Sequence, residues 1–158
     1  MHAETVIWGL GNELLGDDAA GIIVARRLSK SPPEGWTIVE CATVPENYLS
    51  TLPKEKAGRL IVIDAADMGI EAGDVRLVTL EDMRDVNFST HGLPLHMLLS
   101  PQAARAKISI IAIQPLDLAP GGKLTPVVEK AVNTVVEALV EGSWKDFPLL
   151  HQENRSPR

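Results

Sequence analysis

The chain carries a single cysteine, Cys41, among its 158 residues. An internal disulfide framework and a multi-cysteine zinc site are excluded. Aromatic residues make up only 4%, too few for the stacking platforms that hold single-stranded nucleic acid. The 15 Lys and Arg residues are outnumbered by 21 Asp and Glu, for a formal net charge of -6, and they form no run. A phosphate backbone would find no footprint, so no nucleic-acid partner is expected. No apolar stretch reaches the roughly 18 to 20 residues needed to cross a bilayer, so no membrane association is expected. The start, Met1-His2-Ala3-Glu4, lacks a basic region and a cleavable pattern, which points to a cytoplasmic protein. The chain also has no His-Glu-x-x-His, no Gly-x-Ser-x-Gly and no Gly-Lys-Ser/Thr loop. A zinc or serine hydrolase of a common type is therefore not supported.

What remains is ordinary globular composition, 45% hydrophobic and 23% charged, in a length that suits one domain. Thr5 to Leu10 is a short apolar run with β-branched residues and reads as a buried strand. Gly9, Gly11 and Gly16 bracket the loop that follows. A helix is expected from about Asp17 to Lys30, stopped by Ser31-Pro32-Pro33. Trp36 to Cys41 reads as a strand and Pro45 to Leu52 as a short helix. Arg59 to Asp64 is the clearest strand, four apolar residues closed by an acid. Asp74 to Leu80 alternates like an edge strand. Pro94 to Leu99 reads as a short helix with proline at its first position, and Lys107 to Gln114 as another buried strand. Thr125, Pro126 and Gly142 supply the start and stop of a last helix.

Strands that are apolar throughout must be covered on both faces. The expected fold is α/β: a three-layer sandwich with a twisted, mostly parallel sheet of about five strands flanked by helices. Residues 1–143 read as a single domain and 144–158 as a polar, loosely ordered tail. In such folds the loops beyond the carboxyl ends of the strands collect the chemistry. Asp17-Asp18, Asp64 and His91 fall at or just after strand ends, with Asp67 close by. A set of two acids and an imidazole suits a divalent metal. Each also has a plainer reading: a helix cap for Asp17 and Asp18, a turn for Asp64, a surface residue for His91. His96 reads as a packed histidine and Cys41 as a small buried residue.

Two rivals fit the α/β pattern. A dinucleotide-binding domain would use Gly9-Leu10-Gly11 and an acid such as Glu40, but it needs glycine where Leu14 stands. A phospho-acceptor receiver would use the acid pair, Asp64 and Thr90, but it needs lysine where Gln114 stands and an acid pair nearer Leu10.

The run from Gly9 to Gly21, GLGNELLGDDAAG, resembles the N-terminal signature of the nickel-iron hydrogenase maturation endopeptidases. Pro45-Glu46-Asn47, Ile63 to Gly69, Ser89 to Leu95 and Ile113-Gln114-Pro115 follow in that family's order. The combination is most similar to the hydrogenase 3 (formate hydrogenlyase) branch and covers about residues 4 to 142. The resemblance implies an endopeptidase of aspartic or metal-dependent type. It would remove a C-terminal extension from the hydrogenase large-subunit precursor after nickel insertion. It further implies that Asp18, Asp64 and His91 are the catalytic and metal-binding residues. The nickel would be carried mainly by the precursor, and the protein would act as a monomer. Asp17 is then expected to face the helix start or solvent and to be the more dispensable of the pair. A non-catalytic nickel- or precursor-binding chaperone on the same scaffold is the alternative.

Overall fold

In the computed structural model, which describes residues 4–88 and 94–153, the apolar runs form the middle of one sheet. β1 (Thr5–Leu10), β3 (Arg59–Asp67) and β6 (Lys107–Ile113) lie side by side and parallel. β2 (Trp36–Ala42) adds in parallel outside β1, and β4 (Val75–Val78) adds antiparallel outside β6. The strand order is β2-β1-β3-β6-β4. A two-residue β5 (Asn87–Phe88) pairs antiparallel with the end of β3, opposite Ala66 and Asp67.

Each face of the sheet has its own core. On one, Ile7, Ile61, Ile63, Ile111 and Ile113 pack under two helices, α1 (Ala20–Ser29) and α3 (Pro126–Glu141). These contribute Val24 and Leu28, and Val128, Val132 and Val135. On the other, Val6, Trp8, Leu60, Val62 and Ile110 meet α2 (Leu95–Leu99) and α4 (Leu150–Glu153) through Leu95, Leu99 and Leu150. The result is the three-layer α/β arrangement read from the sequence. Side chains alternate along a strand, so Asp64, between Val62 and Ala66 in steps of two, belongs to the second face.

α1 sits unusually close to the sheet. A Cβ on Gly21 would lie 2.2 Å from the Ile63 carbonyl oxygen and 2.4 Å from that of Leu10. Only glycine permits this approach. It clamps the start of α1 onto the carboxyl ends of β1 and β3. The 3-10 turn Gly16–Ala19 immediately before α1 is thereby held beside the carboxyl-terminal half of β3, where Asp64 stands three residues inside the strand and not at its end as the sequence suggests.

Two expectations are corrected. Pro94 is the residue before α2 and not its first helical position. The segment from Trp144 onward, read as a loose tail, is seated on the domain as far as it is described. Trp144 and Leu150 are buried, the Leu77 amide donates to the Pro148 carbonyl at 2.9 Å, and Leu149 bridges Leu77. Two apolar anchors among polar neighbours have no helical or strand period, which is why the stretch looks irregular. Among the described residues no helix is long and apolar enough to cross a membrane.

Candidate active site

The loop from Gly9 to Gly16 folds onto its own chain. Gly11 has φ 137°, and a Cβ there would lie 1.9 Å from the Asp18 carbonyl oxygen. The space beside Gly11 is filled by backbone and leaves no room for a pyrophosphate. Glu40, the ribose-binding acid of the dinucleotide reading, instead pairs with Arg26 at 2.8 Å. Glu13 joins the same guanidinium at 3.1 Å, and the two carboxylates hold the Arg26 pKa above its ordinary value.

Asp17 and Asp18 are 0% and 1% exposed. Asp17 does not face solvent or the helix start, contrary to expectation. Its Oδ2 accepts from the Leu116 and Asp117 amides at 2.9 and 3.0 Å and from the Thr125 hydroxyl at 2.8 Å. Its Oδ1 accepts from the Thr125 amide at 2.7 Å. A buried carboxylate needs such donors to replace lost water. They come from a loop about a hundred residues away, which no local pattern announces. Thr125 stands at the N-cap of α3, yet its hydroxyl serves Asp17 rather than the helix.

Asp18 is supplied differently. Its Oδ2 accepts from the Asn12 amide at 2.9 Å, while its Oδ1 is buried with no hydrogen-bond partner among the described residues. A buried carboxylate oxygen left over in this way suits a cation or a proton. Asp18 lines a cavity of about 210 Å³ with Leu15, Ala65, Ala66, Asp67, Pro115 and Leu118, closed on another side by Asn87 and Phe88. Asp64 is 0% exposed and directly precedes Ala65 of that lining. The structure therefore brings Asp18 and the end of β3 to one place. His91 lies outside the described residues. The chain leaves the described region at Phe88, a wall of the same cavity.

The end of β3 and the turn to Gly69 are fixed by Gln114, which the sequence shows at the end of an apolar run and inside the Ile113-Gln114-Pro115 block. Its side-chain carbonyl accepts from the Met68 amide at 2.7 Å, and its side-chain amide donates to Asp67 at 3.2 Å. Burial of Gln114 after an apolar run was the available signal. Cys41 ends β2 in full burial, and burial pushes its thiol up to about 12. A thiol that keeps its proton is no nucleophile at neutral pH.

The chain as a whole is similar to known proteins of one family. The family model described as hydrogenase maturation protease, of the HycI type, matches residues 22–142. The hydrogenase 3 maturation protease of Escherichia coli K12 is 28% identical over 136 residues, which is 85% of this chain and 87% of that protein. Among solved structures, the endopeptidase HycI from Escherichia coli superposes with a TM-score of 0.82 at 29% identity, covering 93% of this chain and 96% of that one. The nickel-iron hydrogenase maturation protease HycI from Thermococcus kodakarensis KOD1 gives 0.74 at 27% identity, covering 89% and 92%.

Proposed function

The chain belongs to the hydrogenase maturation protease family, and from that premise we propose that it cuts the C-terminal extension from a nickel-iron hydrogenase large-subunit precursor. Asp18, Asp64 and His91 hold the nickel that the precursor brings and carry out the cut. The observation that carries this reading is the leftover Oδ1 of Asp18, buried beside the end of β3 and without a donor among the described residues. A cation satisfies such an oxygen, and two carboxylates leave room around a nickel ion for ligands from the precursor.

His91 stands three residues beyond Phe88. Phe88 lines the cavity that holds Asp18. The bound ion would polarise the scissile carbonyl or lower the pKa of an attacking water. This chain's residues place the ion: Asp18 from the turn that Gly21 clamps to the sheet, Asp64 from the carboxyl-terminal half of β3. A site of two carboxylates and one imidazole binds nickel weakly by itself. The isolated protein therefore carries little nickel and recognises the metal-loaded precursor. The protein acts in the cytoplasm as a monomer.

The test is direct. Nickel-loaded and nickel-free precursor are incubated with the protein, and loss of the extension is read by mass. Cleavage of the loaded form alone is expected. Equal cleavage of both forms would show that the precursor's metal is not the recognition element.

A further inference from the structure

The walls of the Asp18 cavity have a chemistry that metal binding does not explain. Besides Ala65, Ala66 and Phe88, the apolar lining includes the larger aliphatic residues Leu15 and Leu118 and, with them, Pro115. Leu118 is 43% exposed and its neighbour Leu116 is 64% exposed. Across the loop Leu14 is 69% exposed. Large aliphatic side chains gathered in the open around a buried carboxylate are costly unless something covers them. The cavity, at about 210 Å³, is smaller than the roughly 300–1,000 Å³ of a pocket for a drug-sized ligand. Its scale is that of one side chain.

This wall is also rigidly held. The Asp17 amide donates to the Asp117 carbonyl at 2.9 Å, and the Gly121 amide to the Leu14 carbonyl at 2.7 Å. Together with the four donors on the Asp17 carboxylate, these bonds fasten the loop 115–125 to the turn that bears Asp18. A wall fixed in advance binds without an ordering cost.

We propose that Leu15, Pro115 and Leu118 form a specificity subsite that receives one aliphatic side chain of the precursor close to the scissile bond. The inference rests on the proposed function, since it needs a peptide lying across Asp18. Asp18, whose Oδ1 has no partner among the described residues, lines the same cavity, and the apolar residues beside it select the neighbouring side chain. One missing methylene in such a pocket changes discrimination by only about 10- to 200-fold, whereas a charge brought against the wall leaves an ion without a partner.

The experiment uses the full chain and nickel-loaded precursor. Leu118→Glu is compared with wild type and with the conservative Leu118→Met. Exposure of Leu118 lets both variants fold, which circular dichroism confirms. Leu118→Glu is expected to raise KM about tenfold or more with kcat within about twofold, and Leu118→Met to restore wild-type values. In parallel, aliphatic residues within three positions of the cut are replaced by lysine, one at a time. One such precursor should be cut poorly by wild type and better by Leu118→Glu. If wild type cuts the precursor but Leu118→Glu shows an unchanged KM and no lysine precursor reverses the preference, the subsite is wrong and the proposed function stands. If wild type does not cut nickel-loaded precursor at all, the proposed function falls and the subsite falls with it.

Discussion

The pocket around Asp17 and the pocket around Asp18 are adjacent in the chain and equally dry. They hold the same side chain in opposite states. Asp17 is surrounded by four donors from the loop 115–125. Among the described residues Asp18 has one, from Asn12, and an oxygen left over. A carboxylate whose acceptor positions are filled has nothing to offer a ligand and works as a fastener. A carboxylate with a bare oxygen is held at a cost to the fold and is available for chemistry. The difference teaches that two equally buried acids are told apart by their donors, and that the one with fewer is the one the proposed function uses.

The sharpest way to break the comparison is to neutralise each acid in turn. Asp18→Asn should reduce precursor cleavage by at least about 10²-fold, the usual scale for losing a group that acts on the reacting atoms. Thermal stability should stay within about 1 kcal/mol of wild type, because no charge is then left uncompensated. Cleavage followed by mass, alongside a melting curve, checks both halves. Asp17→Asn should do the reverse. Its new amide hydrogens would face N–H donors, and about 3 kcal/mol of stability should be lost. For a chain of this length that lowers Tm by roughly 6–12 °C. If Asp18→Asn proves the more unstable of the two, the division of labour is wrong.

A finer cut removes one donor only. Thr125→Val takes the hydroxyl from Asp17 and leaves the Thr125 amide bond in place. A loss of about 1 kcal/mol in a urea titration is expected, with kcat unchanged. The smallest effect concerns another buried ionisable group, Cys41. Its thiol holds a proton to about 12 in the folded chain against 9.0 as the ordinary value. The folded pKa is the higher, so the unfolded chain binds fewer protons above pH 9. This contribution is whole below pH 9 and is lost as pH rises from there toward 12. Cys41→Ala should therefore show a flatter fall of the urea midpoint between pH 9 and 10.5, with no difference in slope between pH 7 and 8.

Much of the fold is legible because the sheet is buried on both faces. Thr5–Leu10, Arg59–Asp67 and Lys107–Ile113 are dense in β-branched and apolar residues, and this density marks central strands even without alternation. Thr125, Pro126 and Gly142 bound α3 by local backbone preference alone. Gly142 has φ 85° just after the helix, a left-handed stop. The site is legible only in outline. That acids cluster after strand ends can be read, and the family resemblance selects Asp18 over Asp17. The fastening role of Asp17 cannot be read, because its donors lie at positions 116, 117 and 125. Gln114 is likewise silent until β6 is laid beside β3. The seating of Trp144 and Leu150 depends on two single contacts with the domain and leaves no periodic trace.

That seating has a consequence for the protein's behaviour in a crowded solution. An outer strand presents unpaired amides and carbonyls to any other chain that can lie along it, and such templates drive edge-to-edge association. β4 would be one of them. The chain covers that edge itself, with Pro148 accepting from Leu77 and Leu149 alongside. Proline has no N–H to pass on, so the covering segment ends the ladder at that point instead of extending it to a neighbour. A chain cut before Pro148 would lose that cover and acquire an adhesive flank on the opposite side of the sheet from β2.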